Sequence, residues 1–188
     1  MPAAAAHAAS VHRSWTACIY IMAAQKPFMA DAHDDYASVA RRIIRDNRYM
    51  SLGTLGKDGS PWVAVVLYAF DDDYNFYFLS ATDSQHGRNI SKTRDVAFTI
   101  FDSAQPIGSS EGVQATGRAS PLSGKELVKA IKQYEMAVFP KSGMPAGSRY
   151  NPSDYGDAAE FRFFKIETKE LYVTGTEDRR TKVDLRKQ

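Results

Sequence analysis

The residues of this chain best suited to chemistry stand together in the run Asp-Ser-Gln-His-Gly-Arg-Asn at 83–89. Ser84 is a helix-capping residue, Arg88 is a permanent cation, and Gln85, His86 and Asn89 bring further hydrogen-bonding groups. The run follows the apolar, strand-like segment Asn-Phe-Tyr-Phe-Leu-Ser (75–80) and opens a short polar helix. At such a corner backbone N–H groups point outward without helical partners, and the helix dipole favours negative charge. The chemistry this predicts is anion binding, with a phosphate as the natural guest. Elsewhere no residue makes a convincing general acid or base, and the chain has neither a nucleophile elbow nor a dinucleotide glycine fingerprint.

The elements that must position this corner belong to one domain. A chain of 188 residues with 44% apolar side chains can bury a single good core. Its 24 basic and 22 acidic side chains lack the basic excess of a nucleic-acid binder, so a small neutral-to-anionic ligand is expected instead. The single cysteine, Cys18, makes no intrachain disulfide, and no Cys/His spacing resembles a metal site, which predicts a reducing, cytoplasmic setting. Residues 1–33 differ in composition: an alanine-rich start, then an apolar run over 15–24 too short to span a bilayer. They are read as a disordered leader or an over-long start, since His12 and Arg13 make a weak basic region for a secretory signal.

From residue 34 the pattern is regular. Asp34 or Asp35 caps a helix over 36–47, with Val39, Ile43 and Ile44 on one face and Arg41, Arg42 and Arg45 on the other. Residues 49–56 alternate, Asp58 and Gly59 supply a turn, and 61–70 continue as a second strand, which makes a hairpin. Further strands are predicted over 75–80, 95–101, 113–120 and, long or in two pieces joined at Glu167 to Lys169, over 159–175. Ser123 with Glu126 reads as a capping box opening a helix whose apolar face is Leu127, Ile131, Tyr134 and Val138, with Lys125, Lys129 and Lys132 facing water. The segment 139–157 reads as a long loop, and 176–188 as a frayed basic tail. Trp62 is expected to pack in the barrel, and Tyr68 and Tyr77 to take alternate positions on half-buried strands. The fold class expected is mainly β with inserted helices: a six-stranded antiparallel split β-barrel over 34–175.

In this order of elements the chain resembles the pyridoxamine-phosphate-oxidase-like family of flavin-binding split barrels. The residues that carry the likeness are the hairpin 49–70, the strand 75–80, the corner Ser84-Gln85-His86-Gly87-Arg88-Asn89 with its following apolar strand, and the glycine-bearing strand 113–120. The resemblance covers about residues 36–175 and implies a homodimer with one FMN in each of two clefts between subunits. It implies that Val63, Ala64, Val65 and Val66 lie beside the flavin ring. Leu79, Ser80 and Ala81 would lie near the ring or the ribityl chain, and Ser84, Gln85, His86, Arg88 and Asn89 at the phosphate.

The departures from the family pattern are equally specific. Ala64 and Ala69 stand where true pyridoxamine-phosphate oxidases present an arginine and a lysine, and Gln85 and His86 follow Ser84 where those enzymes have Arg-Lys. The corner's charge is then left to Arg88 and a partly protonated His86. No counterpart of their C-terminal arginine-histidine element is present in 159–188, so pyridoxamine phosphate is not the expected substrate. The resemblance implies an FMN-dependent oxidoreductase that transfers hydride to or from a small organic substrate, with no named catalytic residue. A deazaflavin enzyme and a non-catalytic flavin- or haem-binding barrel stand as alternatives; the absence of any histidine after His86 counts against haem.

Overall fold

The computed structural model describes residues 35–106, 108–143, 145, 149–174 and 180–186. The leader expected over 1–33 lies outside the described residues. Helix α1 (Tyr36–Asp46) is capped by Asp35, whose side chain accepts from Ala37 N at 3.3 Å, and it buries Val39, Ala40, Ile43 and Ile44 against the barrel. Its last turn is closed from both sides. Asn47 Nδ2 donates to the Ile43 carbonyl at 2.9 Å and the Tyr68 hydroxyl to the Ile44 carbonyl at 2.7 Å, satisfying groups a helix end leaves open.

Strands β1 (Tyr49–Leu55) and β2 (Pro61–Leu67) form the expected hairpin, turning through Gly59 at φ 81°, a left-handed value that favours glycine. The second strand is shorter than its sequence pattern predicts. It breaks at Tyr68, and β3 (Ala69–Phe70) pairs with β4 (Phe76–Ala81) instead. The sheet then runs β2-β1-β5-β6-β7-β4-β3, through β5 (Asp95–Ile100), β6 (Gly112–Pro121) and β7 (Phe161–Thr174). Its two terminal strands are therefore consecutive in the chain, joined at Tyr68. The sheet is antiparallel throughout and curls as a split barrel with a few helices.

Alternation decides which side chains fill the barrel. Met50 and Leu52 of β1, Val96, Phe98 and Ile100 of β5, and Val113 and Ala115 of β6 are buried inside, while the residues between them face out. In β4 three successive residues are buried because both its faces are covered. Phe76 and Phe78 point into the barrel, whereas Tyr77 joins Phe163 under helix α3 (Gly124–Ser142). That helix buries Leu127, Ile131, Tyr134 and Val138, the predicted face.

Several expectations are corrected. Ser123 occupies the N-cap of α3, but its side chain makes no capping bond. The helix also runs through Pro140 to Ser142 before Gly143 ends it at φ 70°, so the loop starts later than residue 139. Pro140 falls in the last turns, where its missing N–H and ring clash bear on few residues. The tail is not frayed over its described part: β8 (Arg180–Val183) pairs with the second half of β7, and Leu185 is buried. Together with β3 this raises the six strands expected to eight. Trp62 is 48% exposed rather than packed inside, although it shares the parity of Ala64 and Val66, because burial along β2 begins only past its first three residues.

Lys129, expected to face water alone, stands 4.0 Å from Asp71. Asp71 also accepts from Tyr77 and Asn75. Burial pushes its carboxyl up, and these hydrogen bonds with the lysine charge outweigh that, holding it below its ordinary value. The long β7 is one strand with a bulge opposite Thr116 and Gly117, at the Glu167–Lys169 junction the sequence singles out. A side chain at Gly117 would meet the Glu167 carbonyl at 2.6 Å, so the close approach there requires glycine.

Candidate cofactor-binding site

The corner is built at the end of β4. Ser84 caps helix α2 (Gln85–Ile90): its Oγ accepts from Gly87 N at 3.1 Å and donates to the Ala81 carbonyl at 2.7 Å. Gly87 is needed for this turn, because a Cβ there would sit 2.7 Å from the Thr82 carbonyl oxygen and 2.8 Å from that of Ala81. Asn89 is buried at 4% exposure. It donates to Thr54 Oγ1 at 3.0 Å and accepts from Gln85 Nε2 at 2.9 Å, stapling the corner to β1.

Arg88 is exposed. It donates to the Asp83 carbonyl and, at 2.8 Å, to Gln85 Oε1, which leaves most of its guanidinium N–H groups free for an acceptor. His86 turns the other way: its Nε2 hydrogen-bonds Ser80 Oγ at 2.6 Å and its ring tilts against Phe78. Burial pushes the imidazole below its usual range, so His86 is neutral near pH 7. The expectation of a partly protonated His86 is thereby corrected, and Arg88 remains the corner's outward permanent charge.

The two strands expected at the ring are arranged by parity. Val63 and Val65 point outward at 65% and 70% exposure, while Val66 is buried and Ala64 packs toward the core. Strand β2 is also terminal in the sheet, so one of its edges presents backbone N–H and C=O groups with no ladder partner among the described residues. On β4, Ser80 shares the parity of the inward Phe78, whereas Leu79 packs with the cluster under α3; Ala81 closes the strand, half-buried. The structure thus brings together Ser80, His86, Ser84, Gln85, Arg88 and Asn89. Leu79 faces away from that group.

Sequence reasoning missed two members of this neighbourhood. Thr54 occupies an inward position after Met50 and Leu52, and a polar residue on an otherwise apolar parity was the signal available. Arg162 lies directly opposite Ser80 in the β4–β7 ladder, so both side chains share one face. It donates through Nη2 to Asp157 at 2.7 Å and to the Leu122 carbonyl at 3.0 Å, and its Nε is buried with no acceptor among the described residues. Its alternating strand offered no clue that a charge was turned inward.

A curled antiparallel barrel with this corner places the chain in a class, and comparison gives the family. Residues 38–175 match the family described as Pyridoxamine 5'-phosphate oxidase, and the chain belongs to it. UPF0306 protein PM1958 of Pasteurella multocida (strain Pm70) is 28% identical over 98 residues, 50% of this chain and 66% of that protein. Among solved structures, a heme binding protein from Mycobacterium smegmatis superposes with TM-score 0.64 at 21% identity, covering 81% of this chain and 59% of that one. Atu2129 of Agrobacterium tumefaciens, described as of unknown function, superposes with TM-score 0.59 at 20% identity over 84% of this chain and 64% of that one. The chain spans between 59% and 66% of the length of these proteins, and the two structural likenesses are likenesses of fold.

The residues present fit a flavin phosphate and ring. Arg88 has donors to spare, the buried Nε of Arg162 lacks an acceptor, and the open edge of β2 offers the alternating N–H and C=O groups that the donor and acceptor edge of a flavin requires.

Proposed function

We propose that the protein is an FMN-dependent oxidoreductase, working as a homodimer on a small organic substrate by hydride transfer. The observation that carries this reading is the juxtaposition of an exposed Arg88 at the α2 corner with the open edge of β2, whose neighbouring elements meet the corner through Thr54 and Asn89. Arg88 would hold the phosphate, and the backbone of Val63, Ala64, Val65 and Val66 would orient the ring. The outward valines exclude water from that edge. When bound, FMN supplies the hydride chemistry, and the chain supplies binding, orientation and electrostatics. The neutral His86 fixes the Ser80 hydroxyl and contributes no charge.

A second copy fits the outward face formed by Val63, Val65, Gly53, Ala97 and Thr116, which is apolar or small across four strands. Val65→Glu is expected to give a monomer by light scattering and to release the cofactor. A reducing, cytoplasmic setting, argued from the single cysteine, belongs to the same proposal.

The test is to purify the chain without added cofactor, record its visible spectrum and identify the released chromophore by mass. FMN supports the proposal, a deazaflavin or a haem replaces it, and a colourless protein that also fails to bind added FMN overturns it. Arg88→Ala should weaken FMN by about 1.5–3 kcal/mol, the range for a hydrogen bond to a charged group, as measured by fluorescence titration.

A further inference from the structure

A cavity of about 570 Å³ lies at the opposite end of β2 from the corner, between the end of α1, the β2–β3 break and helix α3. Seven strand residues separate the two ends, roughly 20 Å at the usual strand rise. Its volume is that of a small-molecule site. Leu67, Phe70 and Val138 make apolar walls, and Tyr49 and Met136, 57% and 65% exposed, stand at its mouth.

The polar groups around it are unequal. Tyr68 presents its ring only, since its hydroxyl is given to the Ile44 carbonyl and burial pushes its pKa far up. Asn47 has turned its amide nitrogen to the Ile43 carbonyl. Arg45 is engaged by Asp46 at 2.8 Å. Arg48 has no such partner: among the described residues lining the cavity it is the cation without an acceptor.

We infer that this cavity binds an aromatic or alicyclic monocarboxylate, its body against Leu67, Phe70 and the Tyr68 ring and its carboxylate on Arg48. One uncompensated cation matches one negative charge. A phosphate ester, doubly charged near neutral pH, would find as its second cation only Arg45, which Asp46 already engages. The binding claim stands on the cavity alone; calling the ligand the substrate rests on the proposed function, with the cavity continuing the line of the flavin edge along β2.

The test is calorimetric titration of the full chain with 2-naphthoate and with its neutral isostere 2-naphthamide. The carboxylate should bind about tenfold tighter, Arg48→Gln should bring the two within about twofold, and Arg48→Lys should restore the preference. Equal binding of the two by the native chain, a preference that survives Arg48→Gln, or no binding of either overturns the inference. The visible spectrum of the native chain, beside its own titration, separates the two readings. A protein that holds no flavin yet discriminates the ligands loses only the proposed function, and one that holds flavin without discriminating loses only this inference.

Discussion

The two ends of strand β2 are finished differently. At the corner end nearly every polar side chain is spent on another: Ser84 on Gly87 and Ala81, Gln85 on Asn89 and Arg88, Asn89 on Thr54, His86 on Ser80. At the far end the walls are largely apolar and Arg48 has no partner among the described residues. The difference teaches how the fold divides its work. A closed polar network fixes backbone geometry and tolerates little change, because each buried partner left alone carries a full desolvation cost. An apolar cavity with an exposed rim fixes little, so its residues are free to set what binds.

This contrast breaks most easily at Gly87. Gly87→Ala forces a Cβ against two backbone carbonyl oxygens that cannot swing away, and it should cost about 3 kcal/mol by urea denaturation. Unchanged stability would mean that the corner is as pliant as the cavity. Next comes the buried staple. Asn89→Ala should cost about 2 kcal/mol, since it strands Thr54 in the core, and the double variant with Thr54→Val should recover part of that loss. A coupling below about 0.5 kcal/mol in the double-mutant cycle would show that the two residues act independently.

A smaller effect is expected at His86. Its folded-state pKa lies below the unfolded value of about 6.5, so on acidification the unfolded chain takes up the proton first. Its contribution is therefore intact above that value and is lost as pH falls through the window beneath it. Melting temperature should decline over that window in the native chain and decline less in His86→Gln; parallel curves would refute the buried, neutral imidazole. The far end should respond least. Met136→Ala, at a rim position 65% exposed, should leave stability within about 0.5 kcal/mol of the native chain.

Much of the architecture was legible because it depends on local pattern. The alternation in 49–55, 95–100 and 112–121, the Asp58-Gly59 turn and the apolar stripe of α3 each announce an element whose buried side is already specified. Three local features were not legible. Tyr68 reads as a continuation of β2, yet its hydroxyl goes to the Ile44 carbonyl and the next residue, Ala69, pairs with Tyr77 of β4, partners that only the folded chain brings there. Residues 139–142 read as loop through Pro140, yet α3 persists with Val138 anchored on the cluster beneath it. The tail reads as solvent-facing because it is basic, but the second half of β7 leaves an edge free for Arg180–Val183 to pair.

The sequence by itself determined six of the strands, the starts of the helices, the family and the Ser84–Asn89 corner, because periodicity, capping and turn residues act over a few neighbouring positions. Only the tertiary structure decided what those corner residues do. Whether His86 is charged depends on its burial against Phe78 and Ser80. Asn89 serves the core because Thr54 lies opposite it, and Arg162 bears on the site through a ladder partner some eighty positions away in the chain, by the registry of Ser80 with Arg162. Charge, burial and pairing are properties of what surrounds a residue, and distant parts of the chain supply those surroundings only once it has folded.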